Sequence, residues 1–339
     1  SIVLADVDNG IIDAVSDPAM VQVRPGTVTV TAQDTVTLSG SGRGNRIISA
    51  TAYGTLLDAG SITITGKTVN LSNGTISATL NDGGVESPAN GGTIEIRGNN
   101  MNSTRFELFS NAENISESSG TGGQILIRGA DNLRAENIQL TDSSLNTSSG
   151  GGGGAGKIEF QTKVLTLSNH TDVATASFGQ GPGGVITVRG AEDVTIESGS
   201  RVVSDVVIGP AGLSQGTAGI ILVETQNLTL LTGGLIRAGA LPDSSGNAGN
   251  IAMHGNSNNP AQSILIDGTG SGIFSTAEGT GAGGNILVNA NSVTLQNGGE
   301  LSAKTSGTEV TATGGTITVD AANTVTMNSA SITASSTGA

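Results

Sequence analysis

A short glycine-led phrase recurs along the chain at nearly constant spacing, and it limits what the sequence can fold into. In each copy a Gly is followed by a variable residue, an Ile, a second variable residue and a further apolar residue. Nine copies begin at Gly60, Gly92, Gly123, Gly156, Gly184, Gly219, Gly249, Gly284 and Gly315, and Gly26 begins an earlier one with Val in place of Ile. The intervals between the nine glycines are 28–35 residues. Self-similarity at this period indicates a solenoid, a propeller or an array of small units.

Apolar and polar residues alternate within each repeat in short runs, which is the period of a β-strand. The glycine-led phrase is the first strand. We assign a second strand to pairs such as Val36 with Leu38 and Phe106 with Leu108, and a weaker third to pairs such as Ile76 with an Ala two residues later. Asn-Gly, Ser-Gly and Gly-Gly steps between strands are interpreted as turns that need positive φ. No segment carries an apolar stripe of period 3.6, so no helix is predicted.

One repeat therefore makes one coil, and successive coils stack as parallel strands about 4.8 Å apart. We predict an all-β fold, a single parallel β-helix (β-solenoid) of about ten triangular coils, each of about 32 residues with three short strands. It covers residues 26–339. Residues 1–25 are predicted to be an irregular lead-in or a degenerate first coil. Because the chain lacks an initiator Met and stops just after another repeat, we interpret it as a fragment of a longer protein.

Stacking places two apolar columns on the inside of the first strand. The first column joins the Ile of each phrase: Ile62, Ile94, Ile125, Ile158, Ile186, Ile221, Ile251, Ile286 and Ile317. The second joins the apolar residue two positions later: Ile64, Ile96, Ile127, Phe160, Val188, Val223, Met253, Val288 and Val319. We expect these columns to form the core, because each coil buries its apolar side chains against its neighbours.

Composition agrees with such a rod and excludes several classes of function. Gly accounts for 53 of 339 residues, only 2% are aromatic, and the formal net charge is −14. The charge argues against a nucleic-acid partner, whose phosphates need clustered Lys and Arg. There is no Cys, which excludes disulfides and Cys-based metal sites. No run of 18 apolar residues occurs, so we expect no membrane insertion.

Outward positions of the first strand are the candidates for a function, since the inward ones are used in packing. Arg97 and Arg128 fall one coil apart in one outward column, and Arg189 falls two coils further on. Glu95 and Glu159 occupy the neighbouring column of the same face. We predict a surface ligand patch for an anion or a sugar acid at these five residues. A solvated surface with weak ion pairs is the alternative.

No catalytic, cofactor-binding or metal-binding residues are predicted, and we expect a non-enzymatic protein. Repeats of 28–35 residues leave no room for the loops that wall the cleft of a polysaccharide lyase or hydrolase, and the acids form no recurring pair. His170 and His254 are the only histidines and lie in different coils. The calcium-binding nonapeptide Gly-Gly-x-Gly-x-Asp is absent. A polysaccharide-processing β-helix enzyme remains an alternative.

The longest clear copy of the repeat reads Gly-Gly-Asn-Ile-Leu-Val-Asn-Ala-Asn-Ser-Val-Thr-Leu from Gly283 onward, and residues 91–97, 183–198 and 314–333 match it. Over roughly residues 26–339 this pattern resembles the shaft repeats of filamentous-haemagglutinin-like exoproteins. These are large bacterial surface proteins exported by two-partner secretion. The Asn-Pro-Asn-Leu and Asn-Pro-Asn-Gly-Ile motifs of that family's secretion domain are absent, so no secretion or haemagglutination residues carry over.

The resemblance implies a right-handed parallel β-helix on the outside of a Gram-negative or cyanobacterial cell. It implies the stiff shaft of an extracellular adhesin that mediates cell-surface or cell–cell attachment. The expected partners are a host or neighbouring cell, its glycans, and an outer-membrane transporter during export. The alternative is a self-assembling extracellular filament or sheath subunit, because a solenoid without capping helices presents unpaired edges that can associate end to end or laterally.

Overall fold

A computed structural model describes residues 2–5, 12–13, 26–53, 57–81, 89–113, 120–130, 133–208, 216–307 and 312–337. These residues form the predicted all-β parallel solenoid, which is therefore confirmed. The helical structure in them is a single 3-10 turn at Asn256–Asn258, in a loop between two strands. Three successive strand positions in each coil make three long sides of the rod, which we call sides A, B and C in chain order.

Each side is built from one strand per coil, and some strands run unbroken across a corner. Side A alone carries Thr27–Thr31, Ser61–Thr65, Thr93–Arg97, Gln124–Arg128 and Asn250–His254. Side B alone carries Ile2–Ala5, Thr35–Ser39, Ala135–Thr141 and Ala261–Asp267. Strands that cross from A to B are Lys157–Ser168, Val185–Ile196, Ile220–Leu231, Asn285–Gln296 and Thr316–Asn328.

The remaining strands lie on side C or beyond it. Thr68–Ser77 and Asn100–Phe109 cross from B to C. Side C alone carries Ile12–Asp13, Arg46–Ser49, Ser144–Asn146, Asp172–Ala174, Arg201–Val203, Leu235–Arg237, Gly272–Phe274, Glu300–Ser302 and Ser331–Thr333. Three short strands follow side C: Ala52–Tyr53, Leu80–Asn81 and Ala112–Glu113.

Both predicted core columns are confirmed by the strand register. Ile94 is paired with Ile62 on one side and with Ile125 on the other, and Ile125 is paired with Ile158. The same register continues through every further coil to Ile317. From Ile62 and Ile64 to Ile286 and Val288, the residues of both columns are at most 2% exposed. Ten described copies of the side A strand thus define nine turns around a continuous aliphatic core.

The glycine that leads each phrase is required by the close approach of two coils. A Cβ added to Gly123 would lie 2.1 Å from the carbonyl oxygen of Gly92, one coil away, and one added to Gly156 would lie 2.0 Å from that of Gly123. The Gly123 amide also donates a hydrogen bond of 2.6 Å to the carbonyl of Ser110, which closes the coil. The interpretation of Gly-Gly steps as positive-φ turns is therefore wrong at Gly92, although it holds at Gly233, where φ is 83°.

The second-strand assignment of Phe106 and Leu108 is wrong, because these residues lie on side C. Phe106 is paired with Gly74 and Leu108 with Ile76, while side B of this coil is occupied by Met101 and its neighbours. The chain turns the corner at a single residue, Arg105, with φ of 54°. Alternation shifts by one residue at this corner, where Thr104 and Arg105 are both exposed. The inward positions of side B before it are Met101 and Ser103, so the sequence pattern favours the fully apolar pair Phe106 and Leu108 for the second strand.

A fourth pairing position follows side C in every coil, and the sequence analysis did not predict it. The three short strands after side C pair with one another. From Ala112 the column continues as single parallel bridges through Ser149, Ser177, Val206, Ala240, Ala277, Thr305 and Ser336. One paired residue per coil carries no alternation, so it leaves no strand signature. The Ser- and Gly-rich stretch at residues 141–156, which has no clear alternation either, contains a short side C strand, Ser144–Asn146, with Leu145 fully buried.

The two ends of the described rod differ. Ile2–Ala5 is paired in parallel with Thr35–Ser39, and Ile12–Asp13 with Arg46–Ser49, so parts of the predicted lead-in add strands to sides B and C. The rest of residues 1–25 lies outside the described part of the chain. At the other end the apolar columns are exposed where no further described coil covers them: Val325 49%, Met327 46% and Ile332 37%.

Replacing Gly123 with Ala should destabilise the solenoid, because the added methyl group meets the Gly92 carbonyl and the coil cannot close. We expect a loss of about 1–3 kcal/mol or more, the range for overpacking a rigid site. The free energy of unfolding from urea titration, followed by circular dichroism, measures it.

Gly42→Ala is the matched control, because a Cβ there meets no atom within 4 Å. Its stability should change by less than about 1 kcal/mol, and in the direction of a gain. Equal stability of the two variants would show that the coils are not in contact at the glycine column.

Candidate functional site

The structure brings all five predicted patch residues to the outward face of side A, across four consecutive coils. Glu95 is aligned with Leu126 and Arg97 with Arg128 in neighbouring strands. Leu126 is in turn aligned with Glu159. One coil further, the register places Arg189 beside Gln161. The regular alternation of the strand is what points every second side chain outward here.

Glu95 is the centre of the first half of this patch. Its carboxylate accepts a hydrogen bond of 2.8 Å from Nη2 of Arg97 and one of 2.7 Å from Nε of Arg128, which also binds it through Nη2. Its side chain is only 11% exposed. Burial by itself raises the pKa of Glu95, but the hydrogen bonds and charges of the two guanidinium groups outweigh burial. The net pKa of Glu95 is therefore below its ordinary value, and the group is ionised at neutral pH.

Glu159 is the centre of the second half, two coils away. Nζ of Lys157 lies 2.5 Å from its Oε2, Nε2 of Gln161 donates to Oε1 at 2.6 Å, and Nε of Arg189 lies 3.5 Å away. Burial raises the pKa of Glu159, and the hydrogen bonds from Lys157 and Gln161 together with the charges of Lys157 and Arg189 lower it further than burial raises it. Sequence reasoning missed Lys157 and Gln161, although both stand two positions from Glu159 on the same strand.

The side A patch carries more positive than negative charge. Arg97, Arg128, Lys157 and Arg189 supply four cations against two carboxylates, on a chain whose net charge is −14. A shallow depression of about 220 Å³ lies beside Arg128, Lys157 and Glu159. The two carboxylates are only 11% and 9% exposed, while the side chains of the four cations are 24–47% exposed. Binding of an anion or a sugar acid by this patch stays a prediction.

A second concave site, which the sequence analysis missed, lies on side C of the first three coils. We call it the side C groove. Its volume is about 220 Å³, and it is lined by Gly44, Arg46, Thr51, Thr75, Ser77, Thr79, Asn81, Glu107, Phe109 and Glu113. Glu107 and Glu113 come together because the fourth pairing position folds the end of the coil back toward side C. The sequence shows these two acids only as scattered residues.

The two histidines occupy unrelated positions. His170 lies in the left-handed region, at φ of 61°, at the corner between sides B and C, and His254 ends a side A strand three coils later. Within the described ranges, no three His, Asp or Glu side chains are close enough to hold a metal ion. The same residues include no helix long and apolar enough to span a membrane.

Comparison with known proteins found no match to this chain. No protein-family model matches the chain, and no curated protein or solved structure matches it. Functional inference therefore starts from the geometry of the rod and from the repeat pattern of the sequence.

Replacing Glu95 with Gln should cost roughly 1.5–3 kcal/mol of unfolding free energy at neutral pH, the range for hydrogen bonds to charged groups. Because its folded pKa is below its unfolded pKa, the carboxylate contributes stability above the unfolded pKa and loses it as pH falls through the folded value. The difference between wild type and Glu95→Gln should therefore shrink as pH is lowered from about 6 to about 2.

Glu136→Gln is the control, since Glu136 is 56% exposed and has a single described ion-pair partner, Lys163, at 2.7 Å. Its effect should stay between about 0 and 1 kcal/mol. A loss in Glu95→Gln that did not change with pH would contradict the assigned direction of the pKa shift.

Proposed function

We propose that this chain is the stiff shaft of a non-enzymatic extracellular surface protein, an adhesin or exoprotein that mediates attachment to other cells. The observation that carries the proposal is the unbroken pair of apolar columns from Ile62 and Ile64 to Ile317 and Val319. Nine turns at about 4.8 Å each give a rod of about 43 Å. Every coil is hydrogen-bonded to the next along all three sides, so the rod resists bending.

The surface favours a structural role over a catalytic one. The depressions on sides A and C have volumes of about 220 Å³, smaller than the roughly 300–1,000 Å³ of sites that enclose a whole small molecule, so neither is an enclosed substrate cleft. The best-buried acids of side A, Glu95 and Glu159, are held by cations and lowered in pKa. A general acid for glycoside cleavage needs a raised pKa instead, so neither of these side A acids suits that role. Glu113 in the side C groove, whose pKa is raised, is the acid that the enzyme alternative would use.

The chain also suits export followed by folding outside the cell. It has no Cys, so the fold needs no oxidising enzymes. A solenoid can nucleate in a few coils and grow coil by coil, because each repeat contacts only its neighbours. These properties, together with the resemblance of the repeats to filamentous-haemagglutinin-like exoproteins, support secretion through an outer-membrane transporter as part of the proposal.

Display of residues 1–339 on a non-adherent laboratory bacterium should increase attachment to epithelial cells or cell–cell aggregation. The same anchor carrying an unrelated solenoid of similar length and charge is the control. Attachment that does not exceed the control would contradict an adhesive role for this chain.

Negative-stain electron microscopy of the purified chain at neutral pH should show single rods. A deletion that joins Gly156 to Asn250 removes three whole coils in register, and it should shorten the rod by about 14 Å in small-angle scattering. Continuous fibres would favour the filament or sheath alternative. Turnover of an acidic polysaccharide by the purified chain would favour the enzyme alternative.

A further inference from the structure

We propose that the side C groove binds a neutral pyranose unit of a glycan. The proposal goes beyond the shaft function and does not depend on it, because a rod that serves only as a spacer could still bind a sugar here. The features that support it are an aromatic ring, a row of hydroxyl groups, two carboxyl groups and the charge of the groove.

A half-buried aromatic ring, that of Phe109, lines the groove. Phe109 stands in an outward column of side C whose neighbours are Ser77 on one side and Asn146 on the other. Its ring is therefore flanked by smaller side chains and is not enclosed by other aromatics. A ring presented in this way offers a flat apolar face of the kind that packs against the C–H face of a pyranose.

Hydroxyl groups line the groove beside this ring. Ser77 Oγ donates to Thr79 Oγ1 at 3.0 Å, and Thr51 Oγ1 lies 3.3 Å from Ser77 Oγ. Each hydroxyl has one donor and two acceptor sites, and those of Thr51, Ser77 and Thr79 each make two hydrogen bonds in the structure, which leaves one site on each for a ligand hydroxyl. Sugar hydroxyls have the same dual capacity. A row of Ser and Thr therefore matches a polyhydroxylated ligand better than an apolar one.

Two carboxyl groups complete the lining. Glu107 Oε2 accepts hydrogen bonds from the Gly44 amide at 3.2 Å and from Thr75 Oγ1 at 2.8 Å, which fix its orientation. Glu113 stands at the outer edge, where Asn81 Nδ2 lies 3.4 Å from its Oε2. Burial raises the pKa of Glu113 in spite of its amide partners and the charge of Arg46. Carboxyl groups are strong acceptors for adjacent sugar hydroxyls.

Charge decides between neutral and acidic sugars. Among the described residues, the ionisable ones that line the groove are Glu107, Glu113 and Arg46, which together carry a formal charge of −1 when all three are ionised. An acidic sugar would meet repulsion there, in contrast with the side A patch and its excess of cations. A volume of about 220 Å³ suits one ring. The open shape lets the rest of a glycan chain continue into solvent.

Saturation-transfer NMR and calorimetry with the full chain test the proposal, using the tetramers of β-1,4-glucose, N-acetylglucosamine and mannose as neutral probes and tetragalacturonate as the acidic one. At least one neutral tetramer should bind with a Kd below about 10 mM. Tetragalacturonate should bind the groove at least tenfold more weakly. No saturable binding of any neutral tetramer, or equal binding of tetragalacturonate that Phe109→Ala abolishes, would overturn the proposal.

Variants locate the site. Phe109→Ala should weaken binding of the neutral tetramer at least tenfold, while Phe274→Ala, in the same outward column five coils away, should leave it unchanged. Glu113→Gln at the outer edge should also weaken binding and should retain the circular dichroism spectrum and melting temperature of the wild type. Equal affinity of wild type, Phe109→Ala and Glu113→Gln would place the sugar elsewhere. Cells that display the chain could attach to other cells without this groove. Absence of sugar binding would therefore not refute the adhesive role, and absence of attachment would not refute the sugar site.

Discussion

The contact on which the fold depends is the approach of one coil to the next at the glycine column. At Gly123 and its equivalents the backbone of one coil touches the carbonyl of the glycine below, with no space for a Cβ. The same glycine amide closes its own coil onto the end of side C. Stacking and closure therefore meet at one residue, and this is why a Gly recurs about every 32 residues while its neighbours vary.

Once the coils are in contact, inward and outward positions have separate roles. Inward positions repeat because like residues pack on like, with Ile125 between Ile94 and Ile158. Outward positions are released from packing and differ from coil to coil. That freedom produces two surfaces of opposite character on one rod. Side A has an excess of cations around Glu95 and Glu159, and side C has a hydroxyl-lined groove with two carboxyl groups. A spacer and a ligand surface are thus compatible in the same coils.

The features that recur with the repeat could be predicted from the sequence. The features that are set by local backbone geometry could not. The core columns and the meeting of Arg97 with Arg128 follow from alternation and a constant repeat. The corner at Arg105 was missed because side B of that coil has a polar inward residue, Ser103, and so the more apolar pair that begins with Phe106 was assigned to the wrong side. The fourth pairing position has one residue per coil and no pattern to detect. The side C groove was missed for the same reason, since Glu113 reaches it from that position.

The central claim is that each repeat of about 32 residues advances the chain along the rod axis by one strand spacing, about 4.8 Å. Double electron–electron resonance tests it directly, because the chain has no native Cys. Spin labels at Gln124 and at Asn250, Asn285 or Thr316 occupy one exposed column, four, five and six coils apart. We predict separations of about 19, 24 and 29 Å, rising by about 4.8 Å per coil. Separations that do not rise in equal steps with coil number would contradict the account.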